Sequence, residues 1–446
     1  MSTGNWGVPG TGYTAEGICQ AMVLKNHMSA ISHTRRSSAT CSSKSTAVDI
    51  RLLHNSQWGI TDPSETPEGE KAGIIKNLAI LAHITTPVSE QPLVAVLIRM
   101  NVDEFDQQMS FENCHQAKVF LNGALIGVSE KPYHLLNKLK KARRDGLFHG
   151  EVSLSYQEKI KEFHCYTDGG RCMRPLFACE DGELLIKSDQ EVSGKTWYDL
   201  LREGKIVYVD KLEEQTSNLA LYPGQVDEKT HYCEIHPCTI LGVCCSIVPF
   251  LNHNQGPRNI YSASMTKQAV GIWSTMFLTR FETTSYQLHY PQRALISTKM
   301  SEYLGYNELP SGINAIVAIM SQGWNVEDSI VMNKASIQRG LFVSTVYKVI
   351  TEVEELAKKI CPVDLLNPIE TINRNYNYLK LGPNGIIRKG STVCKGDVLI
   401  RKIEEKEEKG KPKQRHDISV VHRLEEEGFV DDILITTSSE GAKLVK

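Results

Sequence analysis

Three stretches of this 446-residue chain carry residue types that could do chemistry on phosphates. In SQGWNVEDSIVMNKASIQRGLF, 321–342, Glu327 and Asp328 are adjacent carboxylates after what reads as a strand and a Gly-Trp-Asn turn. Mg2+ takes one or two protein carboxylates and leaves room for substrate phosphate, so such a pair suits it. In EIHPCTILGVCCSIVPFLNHNQGPRNIYSASMTKQAVGI, 234–272, Arg258 follows Gly-Pro, which reads as a turn that projects a guanidinium. A guanidinium is suited to bidentate phosphate contact. Lys267 and Gln268 follow and read as lying near a helix N-terminus, a favourable anion site. The lone His253 is more often a hydrogen-bonded histidine than a metal ligand. In HNSQWGITDPSETPEGEKAGIIKNLAI, 54–80, Pro63, Pro67 and Gly69 impose turns, and Pro67 keeps Glu65 and Glu68 off a common helix face. By pattern alone that stretch is a surface Ω-type loop. A carboxylate pair with a basic phosphate reader raises phosphoryl or nucleotidyl transfer as a reaction class. The absence of G-x-x-x-x-G-K-[ST] excludes a P-loop NTPase.

Charge is segregated along the chain although its formal total is only −2. No Asp or Glu occurs from Gly17 to Val48, which holds Lys25, Arg35, Arg36 and Lys44. None occurs from Ile235 to Phe281, which holds Arg258, Lys267 and Arg280. This pattern predicts two basic surfaces that meet an anion on an otherwise acidic body. The apolar first half of the second window, ILGVCCSIVPF, reads equally well as buried core.

The elements that position these residues read as an α/β mixture in several small domains, with 41% hydrophobic and 23% charged residues. Asn122-Gly123 and Asp181-Gly182 each sit between apolar runs and predict hairpins. Residues 131–146 predict a helix with Leu135, Leu136 and Leu139 on one face, stopped at Asp145-Gly146. A short helix is expected over 195–204 and a mostly buried one over 267–281. The segment 74–83 reads as helix or strand. Strands are expected at 92–100, in EVSLSY, at 206–209, in INAIVAIM, in TVCKGDVLIRKI and in DDILITTS, with a solvated loop at EEKEEKGKPKQR. Twelve scattered cysteines without a C-x-x-C pair suggest a reducing compartment and no zinc ribbon. No signal peptide is expected from the opening residues, and no apolar run nears the ~20 residues that span a bilayer.

Taken together, these segments resemble the second-largest (beta-type) subunit of multisubunit DNA-directed RNA polymerases, in the branch of eukaryotes, archaea and large DNA viruses. The resemblance rests on TGNWG at 3–7, SHTRR at 32–36, LHNSQWGITDPSETPEGEKAGIIKNLA at 53–79 and VFLNGALIG at 119–127. It continues through TDGGRCMRPLF at 167–177, the 234–272 stretch, ELPSGINAIVAI at 308–319 and WNVEDSIVMNKASIQRGLF. These strings run in the family's order over nearly the whole chain.

The resemblance implies a mixed α/β multidomain fold: a fork region at 1–90, an external lobe domain at 91–165 and a small connecting domain at 166–233. Residues 234–446 would be the N-terminal part of a β-rich hybrid-binding domain. It implies a nucleotidyltransferase subunit, active only with the largest subunit, which holds the primary catalytic Mg2+. Glu327 and Asp328 would stand near a second, shared Mg2+, and Arg258 would face the incoming triphosphate. Gln255, Lys267 and Gln268 would line the active centre and hybrid, and Arg35 and Arg36 would lie near the fork loops. The implied partners are the largest and other core subunits, template DNA, nascent RNA and ribonucleoside triphosphates, with no membrane. The implied location is the nucleus for a cellular enzyme, or host cytoplasm, nucleus or virion for a viral one. No zinc site is expected in this stretch.

Relatives usually carry a small residue or Cys where Asp62 sits, Ser where Gly256 sits and Gly where Thr266 sits. They also continue beyond LITTSSEGAKLVK into a Gly- and Lys-rich run and a zinc-bearing clamp segment, and begin with a protrusion and lobe. The chain therefore reads as an internal piece: a split-gene product, an intein-interrupted part or an incomplete reading. The competing class is a non-catalytic or decayed module that binds nucleic acid or a polymerase subunit. Intact WNVEDS and NQGPRN favour the enzyme subunit.

Overall fold

A computed structural model describes residues 20–22, 24–38, 47–100, 102–104, 116–187, 189–272, 282–355, 358–361, 376–406 and 414–446. TGNWG at 3–7 and residues 273–281 of the expected buried helix lie outside these. The chain forms two compact units, Met1–Phe277 with Tyr286–Thr345, and Leu278–Ser285 with Val346–Lys446.

Two larger sheets lie among the described residues of the first unit. In one, Cys172–Glu180 pairs antiparallel with Ile206–Asp210, Tyr232–Cys233, Glu183–Leu184 and His83–Ile84. The other has five strands in the order Asp103–Glu104, Ala124–Ser129, Ala117–Leu121, Glu162–Tyr166, Ser153–Gln157. Both expected hairpins form. Asn122 and Gly123 have φ of 48° and 85°, and Asp181 and Gly182 have 52° and 80°, the left-handed pairs that two-residue turns require. Of the segment 74–83, Ile75–Asn77 is a strand, paired antiparallel with Arg36–Ser38.

Helix α1 is His27–Thr34, α2 is Gln91–Arg99 and α3 is Pro132–Arg144. The last matches its expected face, with Leu135, Leu136 and Leu139 buried. Helix α2 overturns the strand expected at 92–100. Val94, Val96 and Ile98 give the run strand-like β-branching, but Leu93, Val96 and Leu97 fall at i, i+3 and i+4 and are the residues buried. Pro92 sits in the first turn, where its missing N–H is harmless. Burying each such side chain contributes about 1.5–3 kcal/mol, enough to override strand propensity. These residues join Val119, Leu139, Leu154 and Phe163 in one core.

Two other expectations fail. INAIVAIM forms no strand: residues 313–320 are unpaired, and Ile316 and Ile319 are fully exposed. A strand exists only with a ladder partner, and no described segment supplies one there. Of the helix expected over 267–281, only Lys267 and Gln268 are helical among the described residues: a helix spans Gly256–Gln268 and ends before Ala269, whose φ of −61° and ψ of 136° are extended. The Asn26 side-chain amide takes the carbonyls of Thr266 and Ala269, and Gly271 N–H turns to the carbonyl of Lys25. These tertiary bonds replace the next helical turn.

The second unit is a set of short strands around Ile386, Ile387, Val398, Leu399, Ile400 and Val445. The expected strands appear as Thr392–Val393, Val398–Ile400, Lys402–Lys406 and Ile435–Thr437. The ends of EEKEEKGKPKQR are not loop: Lys402–Lys406 pairs antiparallel with Gln414–Asp417, setting Glu405 opposite Arg415. Residues 407–413 lie outside the described set.

Candidate functional site

The site is built where α1 meets the Gly256–Gln268 helix. Asn26 is the N-cap of α1: its side-chain oxygen accepts from Ser29 N–H at 2.7 Å. Its amide nitrogen donates to Thr266 and Ala269 carbonyls at 2.9 and 2.5 Å. One wholly buried side chain thus starts one helix and ends the other. The Gly256–Gln268 helix begins on Gly256-Pro257, buries Asn259 and Ala263, and shares a small core with Cys244 and Cys245. That core fulfils the buried reading of ILGVCCSIVPF.

Between the two helix ends lies a pocket of about 230 Å³ lined by Lys25, Ser29, His33, Arg36, Lys267 and Gln268. It joins the two acid-free windows of the sequence into one basic surface. Among the described residues, neither Lys25 nor Arg36 has a carboxylate within ion-pair distance. The Arg36 Nε is buried without a hydrogen-bond partner. Burial first, then the charges of Arg36 and Lys267, hold the His33 pKa below its ordinary value. The charges of Lys25 and Arg36 leave a positive field there that favours an incoming phosphate.

Lys267 and Gln268 stand at the C-terminal end of their helix, not near an N-terminus as the sequence suggested, so their pull on an anion is side-chain charge and polarity alone. The Lys267 ammonium is 2.9 Å from Glu65 Oε1, which also accepts from Ser32 Oγ at 2.5 Å. The stretch 54–80 is therefore not a surface loop. Asp62, Glu65 and Asn77 are buried, Asp62 accepting from Gly242 N–H at 2.6 Å and Ser64 N–H at 2.7 Å. Burial pushes the Asp62 carboxyl above its usual range against those hydrogen bonds.

The other expected residues lie outside the pocket lining. Arg35 turns its guanidinium onto the carbonyl of Ala79 at 2.6 Å and those of Ile80 and Ala82 at 3.3 Å, bracing the chain after the 54–80 stretch. Gln255 is the exposed N-cap of the Gly256–Gln268 helix. Arg258 is exposed in its first turn, its guanidinium 5.7 Å from the Tyr261 ring. Glu327 and Asp328 are exposed in a turn, Glu327 at φ 55°, with no ion-pair partner among the described residues. Two adjacent, unpaired hard-oxygen donors fit Mg2+ with part of its shell left to other ligands. Sequence reasoning placed Lys25 only within a basic window and missed Ser29, His33 and Asn26. An Asn directly before HMSAISHT is a legible N-cap, and its helix would have shown His33 and Ser29 on one face.

Family models match three parts of the chain: RNA polymerase Rpb2, domain 3, over residues 20–84; domain 4 over 119–180; and domain 6 over 244–446. The whole chain aligns at 36% identity with DNA-directed RNA polymerase II subunit 2 of Arabidopsis thaliana, covering 40% of that protein. It aligns at 36% with subunit RPB2 of Encephalitozoon cuniculi and with subunit Rpo2 of Sulfolobus acidocaldarius, covering 41% of each. The chain belongs to the family of RNA polymerase second-largest subunits. It spans about two fifths of the length of these relatives. Within the family frame, Lys25 to Arg36 fall in the domain 3 match and Lys267 and Gln268 in the domain 6 match, so the pocket is built from two family domains. No described helix is long and apolar enough to cross a membrane.

Proposed function

We propose that this chain forms part of the catalytic core of a DNA-directed RNA polymerase, inside the cell where DNA is transcribed. Its active-centre face would contact the incoming ribonucleotide, template DNA and RNA–DNA hybrid, in complex with the largest subunit and other core subunits. The observation that carries this reading is the convergence of Arg36, Lys267 and Gln268 with Lys25 and His33 in one pocket free of acidic lining. Residues 1–90 act as fork region and 234–446 as the start of the hybrid-binding domain, with external and connecting domains at 91–165 and 166–233. The exposed Ile316, Ile319, Trp324 and Ile330 support work inside a larger assembly, since contiguous exposed apolar surface marks an interface.

Arg258, free in the first turn of its helix, binds and orients the triphosphate. Lys25, Arg36 and Lys267 hold backbone phosphates, and Gln268 and Ser29 offer neutral hydrogen bonds beside them. Arg35 shapes the fork by gripping main-chain carbonyls. Glu327 and Asp328 would hold the shared Mg2+, and the ion would supply positive charge against the leaving pyrophosphate.

The test is single-nucleotide addition by the reconstituted polymerase. Arg258→Ala removes a charge-assisted contact of about 1.5–3 kcal/mol, roughly one to two decades in nucleotide use. It should raise the nucleotide requirement, whereas Glu327→Ala/Asp328→Ala should shift the Mg2+ requirement. Titration curves identical to wild type for both variants would remove these residues from the active centre.

A further inference from the structure

Directly beneath the pocket, three ligating groups face one another in the buried interior. Asp62, Glu65 and Cys245 each place a ligand atom within 4.8 Å of the other two, and all three side chains are buried. Asp62 and Glu65 lie three residues apart in one stretch and Cys245 comes from a distant one, a spacing that matches no zinc-ribbon pattern. The Asp62 oxygens are held by the N–H groups of Gly242 and Ser64. One Glu65 oxygen is held by Ser32 and Lys267. The other, Oε2, has no hydrogen-bond partner among the described residues, on a side chain only 1% exposed. A bare carboxylate oxygen in the interior forfeits its hydration with nothing in return, a cost that buried groups rarely bear. Gly242 leaves the room: a Cβ there would meet Asp62 Oδ2 and Glu65 Oε2, each at 2.8 Å.

The geometry points to a buried divalent-cation site with Asp62, Glu65 and Cys245 as ligands, of the borderline class that accepts oxygen and sulfur together, with Zn2+ the best match. Zn2+ bonds sulfur at about 2.3 Å and carboxylate oxygen at about 2.0–2.2 Å, and ligand atoms that all lie within 4.8 Å of one another can close onto it with small side-chain shifts. Two carboxylates, one thiolate and the Lys267 ammonium surround the ion, and the dication brings the cluster to neutrality. Binding displaces the Cys245 thiol proton to solvent. Hard cations such as Mg2+ and Ca2+ are disfavoured by the sulfur. The ion would tie the 54–80 stretch to the segment that leads into the Gly256–Gln268 helix and fix Glu65 under Lys267. This inference does not rest on the polymerase reading, because its readout is metal bound and not nucleotide added.

The experiment is elemental analysis of the purified full chain after loading with Zn2+ and dialysis against metal-free buffer. Wild type should retain one equivalent, Cys245→Ala none, and Cys244→Ala one, since the neighbouring thiol is equally buried but outside the cluster. Should Cys245→Ala fail to fold, Co2+ loaded into wild type serves instead. A thiolate-to-cobalt charge-transfer band supports the site, and its absence refutes it. Zinc-free wild type, equal zinc in wild type and Cys245→Ala, or equal loss in both cysteine variants would overturn the proposal and leave the carboxyl pair sharing a proton.

Discussion

Arginine and lysine serve opposite ends in two regions of the first unit. At the joint of the two sheets, Arg143 is buried and forms a two-pronged pair with Glu213 at 2.7 and 2.8 Å, completed by Tyr232, whose hydroxyl donates to Glu213 at 2.6 Å. Arg174 does the same with Glu234 at 2.5 and 2.6 Å and reaches Glu214 at 3.1 Å. Every cation there is met by a carboxylate of the same chain. In the pocket at the end of α1, Lys25 and Arg36 meet none among the described residues, and only Lys267 is paired, with Glu65 from outside the two acid-free windows. The difference teaches that cation count says little. Whether the chain supplies the counter-charge decides between a structural clasp and a surface open to an outside anion.

The largest expected effect breaks the clasp. Arg143→Ala leaves Glu213 buried and unpaired, a loss of about 3–5 kcal/mol. Arg36→Ala should alter stability by no more than about 0.5 kcal/mol. Thermal unfolding of the two variants reads this directly, and equal losses would erase the contrast.

Acid sharpens it next. Burial alone would raise the Glu213 pKa, but Arg143 and Lys140 outweigh burial and hold it below the ordinary 4.5. Its stabilisation is therefore complete above that value and is lost as pH falls through the lowered one. Denaturant midpoints followed into acid should fall in wild type and flatten on that limb in Glu213→Gln. Parallel curves would remove Glu213 as the source.

On the pocket side, Lys25→Ala and Arg36→Ala should each reduce the salt slope of duplex-DNA binding by about 0.9, the release expected for one phosphate contact. Binding that keeps its slope in both variants would place the phosphates elsewhere. The smallest effect is spectroscopic. A bound phosphate offsets the cations that depress His33, so its pKa should rise when oligonucleotide is added. Proton NMR of the ring checks this, and a pKa that does not move would empty the pocket of its anion.

Much of this was legible in the sequence. The hairpins at Asn122-Gly123 and Asp181-Gly182 and the helix of Leu135, Leu136 and Leu139 rest on local signals that tertiary structure had no cause to override. The acid-free windows announced a basic surface, and Arg36, Lys267 and Gln268 do meet. What stayed hidden depends on contacts distant in sequence. Asn26 ends a helix some 240 residues away, which no window around Lys267 reveals. Glu65 looked like a loop residue because Pro67 and Gly69 surround it, yet Ser32 and Lys267 bury it. The run at 92–100 satisfied two periodicities, and only the core beside it chose the helix.

The most direct test of the open pocket uses a transcribing complex reconstituted with this chain and an RNA whose 3′-terminal nucleotides carry an aldehyde. A lysine beside the hybrid backbone, through its neutral amine, condenses with the aldehyde to an imine with loss of water, borohydride reduces that imine to a stable secondary amine, and peptide mapping locates it. The convergence of Lys25 and Lys267 predicts adducts at one or both, lost in the double Lys→Ala variant. An active complex whose adducts all fall on other lysines of the chain would contradict the placement of the pocket against nucleic acid.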